Sequence, residues 1–114
     1  MTGERMRRVD EAMREVLSGA ITSEIKDPRV GFVTVTAVET SPDLRHARVF
    51  VSVLGDEPVR KRSMAGLESA RGYLQKRVAG ELRLKNTPTL QFLYDGSADR
   101  GIRIAEIIEE EGGG

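Results

Sequence analysis

Between Phe32 and Leu54 the apolar residues recur at every second position, and on both sides of that stretch they recur at every third and fourth. A pleated strand alternates its side chains across two faces, whereas a helix lines one face at a period of about 3.6. The change of period therefore dictates a chain that mixes helix and strand in a fixed order. Met6, Val9, Met13, Val16, Leu17, Ala20, Ile21 and Ile25 form the stripe of a long first helix. Pro28 is expected to end it, because the residue before a proline is pushed out of the helical region. Phe32–Thr40 is the first predicted strand, with Val33, Val35 and Ala37 on its inner face. Arg45–Leu54 is the second, with Ala47, Val49, Val51 and Val53 inward. Thr40-Ser41-Pro42-Asp43 is turn chemistry, so the two strands should pair as an antiparallel hairpin.

After Gly55-Asp56-Glu57-Pro58 the helical period returns, through Met64, Leu67, Leu74, Val78 and Leu82. The seam breaks at Arg71, beside Gly72. An arginine in an apolar seam next to a glycine predicts two helices meeting at a kink, with Ala70 kept small and Gly72 relieving crowding there. Thr89–Tyr94 alternates Leu90, Phe92 and Tyr94 as a third strand, and Ile104, Ile107 and Ile108 suggest a closing helix. The order α-β-β-α-α-β, with a C-terminal helix, predicts an α+β fold with helices packed on one face of a three-stranded sheet. A chain of 114 residues suits one domain over residues 1–111, followed by a short glycine tail at 112–114.

Charge is distributed unevenly. The whole chain balances 18 basic against 18 acidic residues, yet Arg60, Lys61, Arg62, Arg71, Lys76, Arg77, Arg83 and Lys85 face only Glu68 and Glu81 between positions 60 and 85. Clustered Lys and Arg attract polyanions, and phosphate backbones are the commonest polyanion a soluble domain meets. In helical register Lys76 and Arg83 share a face and have no acid four residues away, whereas Glu4–Arg8 and Asp10–Arg14 are expected to pair. Aromatic residues are few and not interleaved with the basic ones, which favours backbone and shape recognition over base stacking.

Catalysis has little to work with. There is no cysteine and one histidine, His46, which is expected to face solvent beside Arg48. Asp95 and Asp99 are explained by turn formation and a helix N-terminus without a metal. Neither G-x-G-x-x-G nor G-x-x-x-x-G-K-[ST] occurs. The expectation is a protein with no catalytic residues, metal, cofactor or small-molecule substrate. The charged first residues, Glu4, Arg5, Arg7 and Arg8, precede no apolar region that would form a secretory leader, and no apolar run approaches the roughly 20 residues of a membrane span. With no cysteine, a reducing cytoplasmic setting fits.

Three motifs occur together. Ile25-Lys26-Asp27-Pro28-Arg29-Val30-Gly31 closes the first helix, and Ser41-Pro42-Asp43-Leu44-Arg45-His46-Ala47-Arg48-Val49 enters the second strand. The block from Pro88 to Ser97 is followed by Gly101-Ile102-Arg103-Ile104. In this order, from about Arg5 to Ile108, they resemble the ribosome-binding factor A family. That resemblance implies a type II KH-like fold in which the nucleotide-clamping G-x-x-G loop is replaced by an A-x-G kink, here Ala70-Arg71-Gly72. It also implies a non-enzymatic, monomeric, cytoplasmic assembly factor. Such a factor binds the free small (30S) ribosomal subunit, assists late 16S rRNA maturation and supports growth in the cold. The residues expected to contact RNA are Lys26, Arg29, Arg45, Arg62, Arg71, Lys76, Arg77, Arg83 and Lys85. The rival expectation is a protein-interaction module that binds an acidic partner through the basic helix pair.

Overall fold

The computed structural model describes residues 2–96. The elements are α1 (Thr2–Ser23), β1 (Val33–Thr40), β2 (His46–Val53), α2 (Glu57–Ser69), α3 (Arg71–Leu82) and β3 (Thr89–Tyr94). The sheet runs β1-β2-β3, with β1 antiparallel and β3 parallel to the central β2. The expected closing helix around Ile104, Ile107 and Ile108 lies outside the described residues.

One face of the sheet carries the core. From β2, Ala47, Val49, Val51 and Val53 point into it, and Leu90 and Phe92 join them from β3. Met13, Leu17, Ala20 and Ile21 of α1 close over it, with Leu67 of α2 and Leu74 and Val78 of α3. Burying each of these side chains larger than alanine favours folding by about 1.5–3 kcal/mol before the loss of conformational freedom is counted. Among the described residues the helices lie on this face, as the sequence order implies.

Three local expectations change. First, α1 stops at Ser23, well before Pro28. The amide N–H groups of Glu24 and Ile25 both donate to the Ala20 carbonyl, closing the helix in a tight turn while Ile25 still packs on the core. Second, Ala37 is not the next inward residue after Val35. The β1–β2 register shifts between Val35 and Ala37, so one extra residue on β1 moves the inward phase to Val38. Such a bulge offsets every later side chain by one position. Third, α2 and α3 break at Ala70, the last cap of one helix and the first of the next. Gly72 sits one step into α3 with open space where a Cβ would be, so it relieves no crowding.

The close approach falls at Gly66 instead. A Cβ there would lie 2.5 Å from Val30 Cγ2. Only glycine lets the segment after α1 lie flat on α2 at that point.

Candidate nucleic-acid interface

The segment joining α1 to β1 lies against three α2 positions spaced three residues apart, Ser63, Gly66 and Ser69. The Gly31 amide donates to Ser63 Oγ at 3.2 Å, and Ser63 Oγ donates to the Arg29 carbonyl at 3.3 Å. Three residues on, Gly66 receives Val30. Three further, Ser69 Oγ accepts from Arg29 Nη2 at 2.9 Å. The same guanidinium holds the Asp27 carboxylate, Nη2 to Oδ2 at 2.6 Å, and the Arg29 amide adds a bond to Oδ1 at 2.9 Å. These bonds to the charged form hold the Asp27 carboxyl down from 3.8 to about 2. Arg29, expected as an RNA contact, is thus a tie between the α1–β1 segment and α2.

Two more of the expected contacts are engaged. Arg77 Nε lies 2.9 Å from Glu24 at the end of α1, and Arg77 Nη1 donates to Glu81 at 3.1 Å. The Tyr73 hydroxyl also donates to Glu24. Its hydrogen bond, with the Arg77 guanidinium alongside, keeps the Glu24 carboxyl below its usual range, while the same contact pushes the Tyr73 phenol up. Arg71 is not in the apolar seam but outside it, 3.4 Å from Glu68.

The remaining six, Lys26, Arg45, Arg62, Lys76, Arg83 and Lys85, form no ion pair among the described residues. All six are exposed. They do not form one cluster. Lys76 lies mid-way along the exposed face of α3, between Gly72 and Gly80, neither of which has any atom within 4 Å of a Cβ position. Arg83 does not share the helical face of Lys76 as expected. It sits beyond the last turn in the left-handed conformation, φ 49°, where its amide caps the helix by donating to the Ala79 carbonyl. The Thr89 amide donates to the Arg45 carbonyl at 2.8 Å, so the hairpin end and the segment carrying Arg83 and Lys85 meet. Lys26 belongs to the opposite end of α3, where Glu24 meets Tyr73. A helix of this length spans about 18 Å, with Lys76 between Lys26 near one end and Arg45, Arg83 and Lys85 near the other, and Arg62 lies on α2.

On α1, Arg5 and Arg7 are exposed with no ion pair among the described residues, and the other two arginines are engaged. Arg8 pairs with Glu4 at 3.5 Å, but Arg14 pairs with Glu11 and not with Asp10. Asp10 is taken by Thr40, accepting from its amide at 3.0 Å and from its hydroxyl. His46 is exposed in a shallow depression with Glu39, Ser41, Arg48 and Gln91 on the uncovered sheet face, and its amide donates to Ser41 Oγ. Among the described residues, no hydrogen bond joins the His46 ring to Glu39 or Ser41, which bond to Arg48 and Asp43. Asp95 accepts from Thr36 Oγ1 at 2.7 Å, and its amide donates to Val51; Asp99 lies outside the described residues.

Sequence reasoning missed Tyr73. The residue is 46% exposed and sits three residues from Lys76 on the same helix face. The i, i+3 spacing carried that information, but it was masked by the scarcity of aromatics elsewhere.

A three-stranded sheet covered on one face by helices in the order α-β-β-α-α-β, with a broken middle helix pair and no G-x-x-G loop, defines a type II KH-like domain. The family model for ribosome-binding factor A matches residues 5–108. A relative of that name from Halothermothrix orenii is 47% identical over 110 residues, covering 96% of this chain and 90% of its own length. The solution structure of a putative ribosome-binding factor A from Thermotoga maritima superposes with a TM-score of 0.71 at 33% identity, covering 78% of this chain and 85% of the other. A homology model of the Thermus thermophilus factor, fitted into a cryo-EM map of its complex with 30S, gives a TM-score of 0.64 at 26% identity over 76% and 91%. The chain belongs to the ribosome-binding factor A family.

Proposed function

We propose that this chain is a ribosome assembly factor that binds the free 30S subunit and assists the late maturation of 16S rRNA. The observation that carries the reading is the family match across residues 5–108, supported by a structural neighbour fitted into a 30S complex. The protein acts by occupancy. It docks as a cytoplasmic monomer, holds an rRNA segment in one arrangement, and leaves when the subunit is ready for translation. That role matters most in the cold, when misfolded RNA escapes slowly.

The contacts fall into two kinds. Lys26, Arg45, Arg62, Lys76, Arg83 and Lys85 have charge to spare and reach phosphates, which fixes position without reading sequence. Arg29, Arg71 and Arg77 first hold the protein together and contribute to the potential around it. Selectivity comes from the shape of the RNA that fits two basic ends and the face between them.

Sedimentation with free 30S subunits and with complete ribosomes tests the reading. The protein should co-migrate with the former and not the latter; equal binding to both, or to neither, overturns it. A strain lacking the protein should accumulate unprocessed 16S rRNA when grown cold. The rival, a module that binds an acidic protein through its basic helices, predicts no association with purified 16S rRNA.

A further inference from the structure

Tyr73 is the one aromatic side chain on the exposed face of α3, and its setting is unusual for a surface tyrosine. Its hydroxyl is tied to Glu24, which is itself held by Arg77 Nε at 2.9 Å. The ring is thereby fixed at its tip while nearly half of the residue stays open to solvent. A ring fixed in advance loses little freedom when something stacks on it.

The charges around the ring are asymmetric. On one side lies the groove between α1 and α3, lined by Glu15, Glu24 and Glu81 with Arg77 the only cation among its lining residues. On the other side stands Lys76, with no ion pair among the described residues, and beyond it the bare helix backbone at Gly80. A phosphate chain is repelled by the first side and attracted by the second. A planar, uncharged group attached to that chain would lie over the ring itself.

We infer that Tyr73 is a stacking platform for one unpaired base of a single-stranded RNA segment whose phosphates run along the Lys76 side of α3. This rests on the rRNA-binding reading above and adds a base-contacting residue to a surface otherwise built for phosphates. The base is recognised by its π-face and not by its edge, so the platform tolerates any sequence but requires an unstacked nucleotide. A duplex, whose bases already stack on each other, cannot use it.

The test compares wild-type protein with Tyr73→Phe, Tyr73→Leu and Tyr73→Ala, all in a Tyr94→Phe background so that Tyr73 is the only tyrosine. The probes are a short single-stranded RNA and a duplex of the same length. Binding of the single strand should quench Tyr73 fluorescence. Leu and Ala should weaken single-strand binding by about tenfold or more, the usual effect of removing one stacked base, and should leave duplex binding unchanged. Phe keeps the ring, gives up only the bond to Glu24, and should retain most of the affinity. Thermal melts of all variants establish that they fold. Equal loss on single strand and duplex, or loss with Phe as large as with Ala, would make Tyr73 a structural tie and overturn the inference. So would undiminished binding by the Ala variant, although the assembly-factor reading would then stand. Failure of the wild-type protein to bind either RNA or 30S subunits would instead defeat that reading itself.

Discussion

At the scale of single residues, the fold depends on where a side chain is missing. Gly66→Ala puts a methyl 2.5 Å from Val30 Cγ2, and the branched valine cannot swing aside cheaply. Overpacking of this kind costs about 1–3 kcal/mol, more than the roughly 0.5–1 kcal/mol a helix gains on replacing glycine by alanine. The variant should therefore melt lower, and Val30→Ala should restore part of the loss in a double-mutant cycle. Gly80→Ala meets nothing and should raise stability by about 0.5–1 kcal/mol. A lower melting temperature for Gly80→Ala would show that the exposed face of α3 is covered. Asp27 gives a pH signature. Its carboxyl is held at about 2 against an ordinary 3.8, so its contribution is fully present above the ordinary value and disappears as pH falls through about 2. Acid titration of unfolding should show wild-type protein losing its advantage over Asp27→Asn across that interval. An advantage that persists to the acid end would mean that the Arg29 contacts do not favour the ionised form.

At the scale of elements, much was legible in the sequence because periodicity reports burial directly. The alternation Leu90, Phe92, Tyr94 located β3 from its first residue to its last. The same rule failed in the second half of β1. The bulge is a matter of cross-strand register between Val35 and Ala37, which leaves no mark on the hydrophobic pattern. The basic set was legible as a composition and not as a surface. Which arginines are engaged depends on acids distant in the chain, as Arg77 depends on Glu24, and on helix ends, as Arg83 depends on where α3 stops. Helix α3 carries the corresponding prediction. Lys76→Glu with Arg83→Glu should sharply weaken 30S binding and barely change the melting temperature, since neither side chain has an ion pair among the described residues. Glutamate is no more strained than arginine at φ 49°. The matched change Arg8→Glu with Arg14→Glu sets like charges beside Glu4 and Glu11, so it should lower stability and spare binding. If binding is lost in that control and kept in the α3 variant, the RNA face lies on α1.

At the scale of the whole molecule, attraction between a basic face and a phosphate chain must depend on salt. Removing two phosphate contacts should make the log-affinity against log-salt slope shallower by about 1.4–1.8, the counterions no longer released. An unchanged slope in the α3 double variant would mean that those side chains do not meet phosphates. The tie between the α1–β1 segment and α2 has a different kind of consequence, in time. Its bonds join residues 32 and 40 positions apart, Gly31 to Ser63 and Arg29 to Ser69. Contacts of that separation close only after the entropy of a long loop has been given up, which slows folding. A chain synthesised from its N-terminus exposes α1 and the hairpin before Ser69 exists. The tie that seats α2 therefore forms only after Ser69 has been made, so a nascent chain lacks the support of its phosphate-binding face until the second half of the domain is synthesised.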